Sequence, residues 1–269
     1  MPGFFDYIRR FPAAASLTAA NIAVFLLLRI VAVIDNLALT SWLDPTIDLV
    51  AFSSDPADLL LRPWTLLTFM FAQFDIVHLL VNLMWLWLAG QFLRMVPAIG
   101  LSRRPSLIIV AIYILGGIAG AVAFMAFAPA GSILIGSSAS VMSLIGTAAL
   151  TGWRTRLPLM FFGPVRFIWV AAAAVFFMTV GATSAAMLAA HLGGLLLGLL
   201  AAPMLMYIAK SSKSSTSNSS PQTSNSLNSL LDKVSRSGYA SLTADERALL
   251  IEISRKLSSS KPSVNPSER

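Results

Sequence analysis

The chain alternates long apolar runs with short charged or uncharged connectors. A helix needs roughly 20 mainly apolar residues to cross about 30 Å of hydrocarbon. Six stretches answer to that description: 14–34, 76–96, 106–128, 138–153, 167–183 and 185–209. The fourth is short and reaches a usual length only if Ile133 to Gly136 are counted. A loop dipping inward ahead of it accounts for this, since irregular backbone at membrane depth persists only where protein or a water-filled cavity surrounds it. The segment 35–75 is too long for a plain connector. Trp42, Leu49, Val50, Phe52, Leu59 to Leu61 and Trp64 make it semi-apolar, and Pro45, Pro56 and Pro63 interrupt it. Short helices on the membrane interface, where Trp is at home, are the expectation. After Lys210 the pattern changes again. Ten of the nineteen residues in 211–229 are Ser, the composition of a flexible linker. Leu227, Leu230, Leu231 and Val234 then recur at helical spacing until Gly238. Thr243-Ala244-Asp245-Glu246 has the form of a capping box opening a second helix, with Leu249, Leu250, Ile253 and Leu257 as its stripe. The expected organisation is an all-α polytopic membrane protein. It comprises a cytoplasmic N-terminus (1–13), a six-span domain (14–209), a Ser-rich linker (210–226), a cytoplasmic helical hairpin (227–259) and a disordered tail (260–269). A two-helix hairpin of this size buries little core alone, so self-association, partner docking or membrane docking is expected of it.

Charge orients the spans. Arg9 and Arg10, then Arg94, Arg103 and Arg104, then Arg154, Arg156 and Arg166, then Lys210 and Lys213 all fall on one face. The other face carries Asp35, Asp44, Asp48, Asp55, Asp58 and Asp75 against Arg62 alone. Lys and Arg mark the cytoplasmic side, so both termini are expected inside. The net charge of +7 is thereby a topology signal, and no nucleic-acid partner is expected. Arg29, near the outer end of the first span, reads either as a functional intramembrane charge or, preferably, as a snorkelling one. The first 30 residues lack the exit of a cleaved signal peptide.

Composition then narrows the chemistry. Hydrophobic residues make up 57% and charged residues 12%, where a soluble domain carries about a quarter charged. The absence of Cys removes disulfides, thiol nucleophiles and cysteine-ligated zinc or iron–sulfur sites. There are two His, and no H-E-x-x-H string. No acidic residue lies between Asp75 and Asp232, which leaves no pair of embedded carboxylates for an aspartyl mechanism. Neither a metal nor an organic cofactor is expected.

Three polar constellations remain. His78 and Asn82 are four residues apart, on one helix face, and read either as donors to a developing oxyanion or as an interhelical polar clamp. His191 lies one turn before Gly194, which with Gly198 forms a G-x-x-x-G pair that admits a close neighbour. A neutral imidazole there is a general base or a structural group. Gly136-Ser137-Ser138 opens the short fourth segment, and it reads either as a nucleophile turn or as small-residue packing. A serine that starts a helix has an unpaired backbone N–H to offer an anion.

Taken together, and in this order on these spans, the three motifs resemble the rhomboid intramembrane serine proteases. The resemblance covers about 15–209 and includes Arg62-Pro63-Trp64-Thr65 before the second span and Gly146 eight residues beyond Ser138. It implies a six-span rhomboid-like domain in which Ser138 is the nucleophile and His191 the general base, a dyad with no acidic third member. His78, Asn82 and the Ser138 backbone N–H would form the oxyanion hole, and Gly136, Gly194 and Gly198 would support the packing. The implied activity is serine endopeptidase cleavage of membrane-anchored proteins within or next to their spanning helix, in contact with the lipid bilayer. Departures from the family pattern are Ala139 where Gly usually follows the nucleophile, Gln73 in place of an additional His, Met142 in place of a Tyr, and Leu188 in place of an Asn. Two alternatives are a catalytically silent relative that binds transmembrane helices and a small transporter. The latter calls for polar residues on several spans, which the third and fifth lack apart from Thr179.

Overall fold

The computed structural model describes residues 9–96, 99, 102, 104–159, 163–216 and 221–259. The tail 260–269, most of the segment 1–13, and the side chains of Lys210, Lys213, Leu227, Ile253 and Leu257 lie outside the described residues. The chain is mostly helical and divides into two compact units, 1–209 and 210–269.

In the first unit, four helices are long and apolar enough to cross a membrane: α1 (Pro12–Ala38), α5 (Ile76–Met95), α6 (Pro105–Phe127) and the part of α9 (Ala185–Thr216) up to Ile208. Pro12 and Pro105 sit in the first turns of α1 and α6, where the missing N–H costs nothing. Along α1 the buried residues Ala14, Leu17, Asn21, Phe25 and Leu28 recur every three or four positions. Leu26, Leu27, Ile30 and Val33 on the remaining surface are more than half exposed. So much uncovered apolar surface suits a lipid-facing helix and no aqueous one. Of the six segments expected to span, these four are long and apolar enough among the described residues, whereas the fourth and fifth segments form shorter apolar helices, α7 (Ser138–Thr151) and α8 (Phe167–Val180). Each has fourteen residues, or about 21 Å of helix.

The shortness of α7 goes with its position. Twelve of its fourteen residues are buried, the most enclosed helix in the unit. Small residues let its neighbours close in. On α6, a Cβ added at Gly116, Gly117 or Gly120 would collide with Ser143, Ser140 or Ala139 of α7. On α9, a Cβ at Gly194 or Gly198 would fall on the carbonyls of Ala139 or Ser143. Hydroxyls secure the same contacts: Ser143 Oγ donates to the Ile112 carbonyl at 2.8 Å, and Thr147 Oγ1 lies 3.0 Å from the Gly198 carbonyl.

The segment before α5 folds into the expected short helices, α2 (Leu43–Val50), α3 (Pro56–Leu61) and α4 (Thr65–Thr68). Strand β1 (Phe52–Ser53) pairs antiparallel with β2 (Ile133–Leu134), Phe52 opposite Leu134. This two-residue ribbon fastens the segment to the run leading into α7. Arg62 Nη1 donates to the Asp48 carbonyl at 2.6 Å, and Trp64 Nε1 donates to the Leu49 carbonyl at 2.9 Å. Between α7 and α8 the basic connector forms a hairpin of β3 (Arg156–Leu159) and β4 (Gly163–Arg166). Phe92 and Phe167 stack beneath it with ring centroids 4.0 Å apart.

Helix α9 runs on to Thr216 and α10 (Pro221–Ser237) begins early, so helix occupies most of the stretch 210–226 expected as linker. Ser costs a helix only a few tenths of a kcal/mol per residue against Ala, and propagation from an existing helix is cooperative. In the second unit, Gly238 at φ +78° ends α10 and α11 (Ala244–Ser259) returns. The capping box forms as expected: Thr243 N–H donates to Glu246 at 2.8 Å, and Glu246 N–H donates to Thr243 Oγ1 at 3.3 Å. Lys233 spans the hairpin to Glu246 at 2.8 Å.

Candidate active site

The site is assembled where the β2 run turns into α7. Gly136 makes the turn at φ +120°, a backbone conformation that side chains rarely tolerate. Its N–H donates to the Phe69 carbonyl at 2.9 Å, which anchors the turn to α4. Ser137 holds the N-cap position of α7 without a side-chain capping bond, and Ser138 is the first helical residue, so the Ser138 N–H is one of those the helix leaves without an intrahelical partner.

Ser138 Oγ lies 2.9 Å from His191 Nε2. The two come from helices that cross closely because Gly194 leaves room for the Ala139 backbone. Ser138 is 7% exposed and His191 4% exposed. With Nε2 accepting the hydroxyl proton, the neutral ring carries its own proton on Nδ1. That nitrogen is buried and meets no side-chain acceptor among the described residues, the Met178 backbone being the polar group within reach of the ring. No carboxylate hydrogen-bonds to His191 among the described residues, and the sequence is free of acidic residues from 76 to 231. Among the described residues no group of three His, Asp or Glu is placed to hold a metal.

The α5 pair approaches the same turn by two routes. Asp75 caps α5 by accepting the His78 backbone N–H at 2.6 Å, which fixes the first turn of that helix. The His78 ring lies beside Gly136, whose missing Cβ would sit 3.7 Å from its Cε1. Asn82 is fully buried and meets the turn through Gln73. Asn82 Nδ2 donates to Gln73 Oε1 at 3.0 Å, and Gln73 Nε2 donates to Ser137 Oγ at 3.0 Å. Ser138, His191, His78, Asn82, Gly136, Gly194 and Gly198 thus lie at residues 136–138, reach them through Gln73, or line the α7–α9 crossing.

Sequence reasoning missed the layer beneath. Asn21 of α1 is fully buried, accepts from Gln73 Nε2 at 2.9 Å, and donates to the Tyr113 hydroxyl at 3.1 Å. Tyr113 in turn donates to the Met70 carbonyl at 2.9 Å. A single Asn amid an apolar span is the signal that was available for it. Of the departures, Ala139 has its methyl opposite Gly120, where a second methyl would not fit, and Met142 is fully buried.

Compared with known proteins, residues 61–208 match the Rhomboid domain family, which is more than half of the chain. No curated protein matches it.

Proposed function

The chain belongs to the rhomboid family, a family generally of intramembrane serine proteases, and from that premise we propose that it is an active serine endopeptidase working by a Ser138–His191 dyad. The observation that carries this reading is the 2.9 Å approach of Ser138 Oγ to His191 Nε2 in a buried site. A serine hydroxyl is a weak nucleophile until an adjacent base takes its proton. In the proposed cycle, Ser138 Oγ attacks the scissile carbonyl carbon as its proton passes to His191 Nε2. The oxyanion receives hydrogen bonds from the Ser138 N–H, His78 and Asn82, donors held in place before charge develops. Collapse breaks the C–N bond, and His191 returns the proton to the departing amine. Water then attacks the acyl-enzyme ester, giving a proton to His191, and the Ser138 hydroxyl is regenerated.

The substrates are membrane-anchored proteins. Their helix enters beside α8 and the 181–187 loop and unwinds locally, because an intact helix keeps its carbonyls hydrogen-bonded. Small or helix-breaking residues near the cut lower that cost. The reading includes six spans, both termini cytoplasmic by the Lys/Arg distribution, and a bacterial inner membrane. The C-terminal hairpin serves to dock a second copy or a partner.

The test is labelling with a serine-directed fluorophosphonate, alongside cleavage of a single-span substrate in proteoliposomes. Label and cleavage are expected in the wild type and lost to background in Ser138→Ala and in His191→Ala. Cleavage that survives Ser138→Ala would refute the dyad. A wild type that neither labels nor cleaves would turn the reading to a silent helix-binding relative.

A further inference from the structure

Three buried carboxamides from three different segments form a chain under the site, and the direction of its hydrogen bonds is dictated from one end. Asn21 Nδ2 donates to the Leu17 carbonyl at 2.9 Å and to the Tyr113 hydroxyl at 3.1 Å. A backbone carbonyl only accepts, so this fixes which end of the Asn21 amide is NH2. Asn21 Oδ1 must then face Gln73, and it accepts from Gln73 Nε2 at 2.9 Å. The second hydrogen of that nitrogen goes to Ser137 Oγ at 3.0 Å, next to the nucleophile. Gln73 Oε1 is thereby turned toward Asn82, where only a donor suits it, and it accepts from Asn82 Nδ2 at 3.0 Å.

These bonds use both hydrogens of Asn21, both of Gln73 and one of Asn82. The hydrogen left over is on Asn82. Gln73 and Asn21 are 2% and 0% exposed, so water does not substitute for either partner in the relay. Asn82 Oδ1 is buried with no hydrogen-bond partner among the described residues. The orientation of that amide therefore rests on the bond its Nδ2 makes to Gln73 Oε1, since its other end makes none.

We infer that Gln73 is a positioning residue for Asn82. Through a relay that begins at the Leu17 carbonyl, it keeps the Asn82 carboxamide with NH2 toward the site, so that its remaining N–H serves the oxyanion. The inference rests on the proposed Ser138–His191 mechanism and deepens it. It extends the working site to α1, outside the matched segment 61–208. It also gives Gln73 a task that a neutral imidazole can take over in part, one ring nitrogen accepting from Asn82 and the other donating to Asn21, with the bond to Ser137 given up.

The experiment measures kcat and KM on the single-span substrate in proteoliposomes, the rate of fluorophosphonate labelling, and thermal stability, all on the full chain. Loss of one oxyanion donor costs about 10²–10³ in kcat, so a donor released from its proper orientation is expected to cost about ten-fold or more. Gln73→Leu should lower kcat and the labelling rate by that factor while KM stays near the wild-type value. Gln73→His should recover most of the loss. A role in stability alone predicts lower thermal stability with kcat per folded molecule unchanged in Gln73→Leu, and that result overturns the inference. If Gln73→Leu does not fold, Gln73→Glu decides by its pH profile. Its carboxyl carries the relay while protonated and sets a negative charge beside the oxyanion once ionised. Activity should then fall with rising pH along a limb the wild type lacks, and a Gln73→Glu profile parallel to the wild type overturns the inference. An inert wild type removes the mechanism and this inference together. An active wild type matched by Gln73→Leu removes this inference alone.

Discussion

At the scale of single residues, the chain's most visible departure from its family is matched by a neighbour. Ala139 brings a methyl group to a close helix crossing, and Gly120 of α6 is where that methyl goes. A Cβ at Gly120 would strike the Ala139 methyl and come within 2.9 Å of the Ala190 carbonyl. Gly120→Ala should therefore destabilise the protein by about 1–3 kcal/mol, the range for overpacking a tight core. Adding Ala139→Gly should restore part of the loss and not all of it, because the carbonyl contact remains. A double-mutant cycle on thermal or steric-trapping unfolding in detergent checks this, and additive effects would contradict the pairing. The same scale marks how far the sequence could be read. His78 and Asn82 stood out by their spacing and His191 by its place one turn before Gly194, while Ser138 was singled out only through the family resemblance. Asn21 and Tyr113 were not legible, since their importance lies in hydrogen bonds between residues 92 apart in the chain, and spacing along one helix carries no record of that. Gln73 was noticed as a departure, but its partners were invisible.

At the scale of elements, helix starts were the most legible feature. The apolar runs, Pro12 and Pro105, and the Asp75 cap mark them chemically. The two ribbons escaped. β1 and β2 have two residues each and join positions about 80 apart, too short for any alternation to register. The β3–β4 hairpin places Pro158 opposite Pro164, and residues without an N–H are poor strand signals. The hairpin of α10 and α11 was predicted from capping chemistry, and that chemistry makes it acid-sensitive. The Lys233 ammonium, and then the Thr243 N–H, hold the Glu246 carboxyl below its ordinary 4.5. A depressed folded-state pKa means that the unfolded chain binds a proton more readily. The stabilising contribution is complete above about the unfolded carboxyl value and is lost as pH falls through the folded one. The pair is partly exposed, so the effect is modest and weakened by salt. Amide hydrogen exchange across 230–258 should accelerate, after correction for intrinsic rates, between pH 5 and pH 3 in wild type at low salt. Glu246→Gln should flatten that dependence, and an equally steep mutant profile would discount the pair.

At the scale of the whole molecule, the division into two units sets what each is answerable for. Every residue assigned to the site, together with the relay below it, falls between Leu17 and Gly198, and so within the first unit, 1–209. The fold brings them together by packing a short, small-residue helix, α7, against α5, α6 and α9, with α1 joining through the Asn21–Gln73 hydrogen bond. The second unit has its own cap, its own cross-hairpin ion pair, and two deeply buried leucines, Leu230 and Leu242. Nothing in the proposed chemistry calls on it. A chain ending at Lys213 keeps the full apolar run of α9 and the Lys residues that follow it. It should label at Ser138 and cleave a single-span substrate with kcat within about two-fold of the full chain, since no described hydrogen bond of the site or its relay comes from 210–269. A docking role instead predicts that the truncated chain differs in its associations: in detergent, the full-length protein should show a larger species or retain a partner that the truncated one does not. Should truncation abolish labelling while the remaining helices stay folded by circular dichroism, the hairpin would have to be counted as part of the catalytic apparatus. The independence argued from the placement of the site would then be wrong.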